Sequence, residues 1–210
     1  MCAVRLIEHG IAPIIVERGE CVDERAKTCE SFFKSGALNT NSNVQFGEGG
    51  AGTFSDGKLN TQTHDGLNRD VLEIFTRFGA PKEILYLNKP HIGSDKLIEI
   101  LKNIRNFITD NGGKYLFNTV FYGFKRQSDK ILSVNLKNCK SGEEIELDVD
   151  CVVAALGHSS RDTFEMLGES GVKMEPRDFA IGVRIEHIAE EISFAQYGKD
   201  YRLLPAADYK

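Results

Sequence analysis

Glu17 closes a short apolar run, Pro13-Ile14-Ile15-Val16. A carboxylate at the end of a buried parallel strand can accept hydrogen bonds from both ribose hydroxyls of an adenine dinucleotide. The same position also suits an ordinary solvent-facing charge, and the strand end alone does not separate the two readings. Farther along, five glycines fall between positions 47 and 57: Gly47, Gly49, Gly50, Gly52 and Gly57. Glycine lets backbone amides approach a ligand closely and form anion-binding concavities. A flexible surface loop is the competing reading.

Two motifs in this segment look like nucleotide fingerprints and fail as such. Gly47-Glu48-Gly49-Gly50-Ala51-Gly52 spells G-x-G-x-x-G. The residues before it, Asn41 to Phe46, are too short and polar for a core strand, and the motif follows Glu17 instead of preceding it by about 20 residues. Gly52 to Lys58 reads G-x-x-x-x-G-K, but Leu59 stands where Ser or Thr must hold magnesium. Phosphoryl transfer is therefore set aside. His158-Ser159-Ser160 lacks a G-x-S-x-G elbow and an acid to orient the histidine, which argues against a hydrolase. Ser159 or Ser160 reads better as the N-cap of a helix through Thr163 to Leu167, whose amino end could face a phosphate or a flavin edge. His9, His64, His91 and His187 are scattered and read as structural.

The elements that must position these residues follow from periodicity. Ala3, Val4, Leu6 and Ile7 stand at helical spacing over residues 2 to 9, with Gly10 as the C′ residue. A helix, a glycine and a buried strand closing on an acid make half of a dinucleotide-binding unit. Residues 20 to 64 are polar and rich in Gly, Asn, Ser and Thr, so little regular structure is expected there. Helices are predicted from Arg69 to Phe78 and from Ser94 to Asn111, the second with an apolar face of Leu97, Ile98, Ile100, Leu101, Ile104 and Ile108. From Lys114 to Val149 the period becomes two. Turn residues at Ser128-Asp129 and Ser141-Gly142 make the later part a three-stranded meander. Cys151 to Gly157 is an unbroken apolar run and predicts a buried strand returning to the centre of a parallel sheet, with His158 to Arg161 at its carboxyl edge. Phe179, Ile181, Val183 and Ile185 suggest one more strand, and Ala189 to Gln196 a short helix. One sheet-centred α/β domain is expected over residues 1 to 210, with residues 60–100 and 172–210 as candidates for a second, substrate-binding lobe.

Composition bounds the partners. The net charge of -5 is spread along the chain without a basic stripe, which argues against nucleic acid. Cys2, Cys21, Cys29, Cys139 and Cys151 are odd in number and form no C-x-x-C pair, which argues against a disulfide framework or zinc site and favours the cytoplasm. No apolar run approaches the roughly 20 residues that span a bilayer, so no membrane partner is expected.

Three stretches carry a resemblance. Val16-Glu17-Arg18-Gly19, the segment Asn43 to Leu59 (NVQFGEGGAGTFSDGKL) and the segment Ala155 to Thr163 (ALGHSSRDT) are similar to the bacterial group of uncharacterised FAD-dependent dehydrogenases within the two-dinucleotide-domain flavoproteins. The middle stretch is the most specific, and similarity extends over essentially the whole chain. The resemblance implies a Rossmann-like parallel sheet carrying the meander, and FAD as cofactor, with NAD(P)H as a candidate electron donor. It implies that Glu17 holds the adenosine ribose and that Arg18 lies near the adenine. Gly47, Gly49, Gly50, Ala51, Gly52, Ser55, Asp56, Gly57 and Lys58 would wrap the cofactor near its pyrophosphate or flavin, with Gly157 and His158 close by. No catalytic acid, base or nucleophile is assigned, and the small-molecule substrate stays unnamed. A complete member would begin with a strand and glycine loop ahead of Met1 and continue past Lys210, so the chain is expected to be an internal fragment that holds FAD weakly by itself. A non-enzymatic fragment unable to hold the cofactor, and an NAD(P)-binding module, are the alternatives.

Overall fold

The structure, a computed structural model, describes residues 1–207 except 55, 56, 58, 60, 62, 64, 88–90, 180 and 184. The described residues make a mixed α/β fold with two small sheets. By contacts the chain divides into Met1–Val172 and Lys173–Lys210, which are taken separately below.

The first unit opens with helix α1 (Cys2–Glu8) and strand β1 (Ile14–Val16). Helix α2 (Val22–Ser35) follows, and after the glycine segment come α3 (Leu67–Arg77) and α4 (Ser94–Asp110). Strand β2 (Lys114–Leu116) pairs parallel with β1 in the register Ile14 to Lys114, Ile15 to Tyr115 and Val16 to Leu116. The pairing is prolonged by Glu17 N–H donating to Leu116 at 3.0 Å and Thr119 N–H donating to Glu17 at 3.0 Å. Strands β3 (Thr119–Gln127), β4 (Lys130–Asn138) and β5 (Glu144–Asp148) form the antiparallel meander in the order β3-β4-β5. Each of its connections is short, so its ladders join sequence neighbours, and alternation with turn residues is enough to encode it. Helix α5 (Arg161–Glu169) ends the unit.

The core lies between helices. Ile74 and Phe78 of the α3 region meet Val4 of α1 and Leu97, Ile100, Ile104 and Ile108 of α4, and Ala80, Ile84 and Ile92 complete the cluster. The α4 residues repeat at spacings of three and four, which puts them on one face of the helix. Each such side chain, fully buried, contributes about 2 kcal/mol of transfer free energy. The Phe78 and Phe107 rings lie tilted to each other with centroids 5.3 Å apart, and Asn103 donates to the Phe78 carbonyl at 2.9 Å, closing the carboxyl end of α3. In the second unit, α6 (Ala189–Tyr197) runs into a 3-10 turn, with Phe194 and Tyr201 edge to face at 5.8 Å.

Four expectations are corrected. Residues 20 to 64 are not wholly irregular, because α2 occupies 14 of them. Its polar composition hides a buried face of Val22, Arg25 and Cys29, and Asp23 and Glu24 in its first turn favour the helix dipole. Cys151 to Gly157 is not a strand, and Val153 is 63% exposed. An apolar run becomes a strand only when a neighbour supplies the ladder, and among the described residues none does. Phe179, Ile181, Val183 and Ile185 are likewise outside any strand, exposed at between 66% and 89%. The sheet-centred core is not seen either, since the two sheets are separate and the main cluster is helical. β1 itself is only half-buried, with Ile14 43% exposed.

Candidate functional site

The end of β1 and the glycine segment are brought together. Gly19 is buried against the backbone of Phe46 and Gly47 so closely that a Cβ on it would stand 2.5 Å from Gly47 Cα. Glu48 N–H donates to the Glu20 carbonyl at 3.0 Å, fixing the contact. Glu17 is half-buried, and its Oε1 accepts the Gly19 amide at 2.8 Å. Arg18 donates to Asp162 Oδ2 at 2.7 Å and to Thr163 Oγ1 at 3.3 Å, and its guanidinium lies 5.7 Å from the Phe46 ring centroid.

Past Gly47 the chain curls tightly. Gly50 N–H donates to Gly47 at 3.0 Å, and residues Ala51–Phe54 make a 3-10 turn. Gly47, Gly49 and Gly50 have φ of 121°, 89° and 67°, a region that disfavours side chains. Gly49, Gly50, Ala51 and Gly52 are exposed, while Gly47 is buried. Gly57 accepts the Ile92 amide at 2.9 Å, beside the start of α4. Ser55, Asp56 and Lys58 lie outside the described residues. Gly157 and His158 are exposed in the segment leading to α5, whose first turn Arg18 ties to β1. Ser160 is the residue before α5, as the sequence predicts, but its hydroxyl donates back to the Leu156 carbonyl at 2.7 Å and caps nothing.

Beneath the glycine curl lies a set of charges that the sequence did not single out. Arg25 is fully buried, and donates to the carbonyls of Asn43, Gly47 and Glu48 at 2.9, 3.2 and 2.7 Å. Glu48, also buried, accepts the Val22 amide at 2.7 Å and Arg105 Nη1 at 2.6 Å, both on Oε2. Arg105 reaches on to Asp23 at 3.0 Å. Burial pushes the Glu48 carboxyl above its ordinary value, against the pull of the Val22 amide and Arg105. Burial lowers the Arg25 guanidinium, and it pushes the Tyr115 phenol up to about 12, helped by the charge of Glu48. Arg25 stands three residues after Val22 and four before Cys29, so a cation on the apolar face of a helix was the one available signal.

This arrangement can present backbone amides to an anion. Among the described residues, the amides of Gly49 and Ala51 have no hydrogen-bond acceptor. They are exposed next to the strand end that carries Glu17 and Arg18.

No protein-family profile matches the chain. A protein of Clostridium beijerinckii named "Uncharacterized protein" is 47% identical over 212 residues, covering 99% of this chain. The chain spans 38% of the length of that curated relative.

Proposed function

We propose that this chain is the dinucleotide-handling part of an FAD-dependent oxidoreductase. Its substrate is a small molecule of unassigned identity, and NAD(P)H is a candidate donor. The observation that carries the reading is the seating of Gly19, two residues after Glu17, against Gly47 at the start of the glycine curl. An acid-ended parallel strand thereby meets a loop with outward amides, the pairing of groups that a ribose and a diphosphate require.

The residues present fit the cofactor. A carboxylate has about four acceptor sites, so the Gly19 amide on Glu17 leaves capacity for ribose hydroxyls. The amides of Gly49 and Ala51 would face the diphosphate, and Arg18 with Phe46 would flank the adenine. When bound, FAD supplies the electron or hydride chemistry, and the protein binds and orients it. The finer fold belongs to the same proposal. β1 and β2 belong to a Rossmann-like parallel sheet. The parallel β1-β2 pairing supports this. Five free thiols favour a cytoplasmic location. No helix among the described residues is long and apolar enough to cross a membrane.

The test is a visible absorption spectrum of the purified protein, before and after incubation with FAD and desalting. Retained flavin absorbance is expected, weak for this chain and stoichiometric for a form with the full length of the Clostridium relative. Absence of flavin from both would sink the reading.

A further inference from the structure

Arg25 closes the glycine segment from beneath at three points along its length. Nε holds the Asn43 carbonyl, Nη1 holds those of Gly47 and Glu48, and the guanidinium lies 4.8 Å from the Phe54 ring centroid. At Gly47, φ is 121° and an added Cβ would collide with the Arg25 stem, so the loop is shaped to this side chain. Among the described residues, Nη2 is buried with no hydrogen-bond partner. Burying a guanidinium with one nitrogen unmatched opposes stability. Its bonds to three carbonyls offset that cost, and an apolar residue there would leave those carbonyls without their donor.

The peptide geometry says what the arrangement achieves. In a trans peptide the carbonyl and the following N–H point in opposite directions. The Gly47 carbonyl faces Arg25, and the next amide, Glu48 N–H, is turned away to the Glu20 carbonyl. The Glu48 carbonyl also faces Arg25, so the next amide, Gly49 N–H, is turned away as well. There it has no acceptor among the described residues. Arg25 thus draws inward the carbonyl oxygens that would repel an anion and turns the Gly49 amide outward.

We propose that Arg25 is a positioning residue that sets affinity for the diphosphate of the bound dinucleotide without touching it. The proposal rests on the dinucleotide reading above and deepens it. Lysine at this position keeps the charge but loses the planar fork that serves three carbonyls and stacks on Phe54. The adenosine end is assigned to Glu17, which shares no hydrogen bond with Arg25 among the described residues.

The experiment is calorimetric titration of the purified protein with FAD and, separately, with adenosine, for wild type, Arg25→Lys and Phe54→Leu, each below its melting temperature. For Arg25→Lys, FAD binding is expected to weaken at least about tenfold while adenosine binding stays within about twofold. Phe54→Leu moves FAD in the same direction by less, and it decides the matter should Arg25→Lys fail to fold. Equal loss of FAD and adenosine, or unchanged FAD affinity in a folded variant, overturns the positioning role alone. Absence of FAD binding both from this chain and from a form with the full length of the Clostridium relative removes the dinucleotide reading, and the proposal with it.

Discussion

Arg18 and Asp162, 144 residues apart in sequence, meet at 2.7 Å and tie the end of β1 to the first turn of α5. The Asp162 side chain is 63% exposed, so solvent screens the pair. Asp162→Asn is therefore expected to lower stability by less than about 1 kcal/mol in a urea melt. A loss several times larger would mean that this clasp is a principal anchor of α5.

Glycine substitutions separate close packing from mere presence in a loop. Gly19→Ala puts a methyl 2.5 Å from Gly47 Cα, where backbone must move, and is expected to cost about 2 kcal/mol or more. Gly66 has nothing within 4 Å of its added Cβ and a φ of -58°. Gly66→Ala is expected to be neutral or stabilising by about 0.5 kcal/mol. Matching melting curves for the two variants would contradict the seating of β1 on the glycine segment.

Glu48 gives a pH dependence with a defined sign. Its carboxyl sits above the ordinary value because burial disfavours the charged form. The folded state therefore binds a proton more tightly than the unfolded state does. The associated stability is fully present below the unfolded value of 4.5 and is lost as pH rises through the higher folded value. The stability of wild type relative to Glu48→Gln should fall as pH is raised from about 4 toward neutrality. A difference that grows over that range would show the carboxyl to be held low.

Burial, not hydrophobicity, decides which apolar side chains matter. Ile100 is 1% exposed in the helical core and Ile181 is 89% exposed. Ile100→Ala is expected to cost about 2–5 kcal/mol. Ile181→Asp should change stability by no more than about 0.5 kcal/mol while reducing binding of a hydrophobic dye. Denaturant melts read both, and a large loss for Ile181→Asp would place that side chain in a packed environment.

Local pattern was sufficient for α1, α3, α4 and the β3-β4-β5 meander, where apolar spacing, terminal glycines and turn residues act within a few neighbours. Glu17 at the end of β1 and the glycine segment were also legible, because acid, strand and glycines are contiguous signals. Tertiary structure alone decided that these two features touch, that polar α2 is a helix and that Arg25 lies at its buried face. A buried cation is recognisable only through its partners, here the carbonyls of Asn43, Gly47 and Glu48, the nearest of them 18 residues away. The same reason accounts for Cys151 to Gly157. Its apolar residues state a readiness to pair, but a strand exists only where another strand completes its hydrogen bonds, and one segment cannot specify that neighbour.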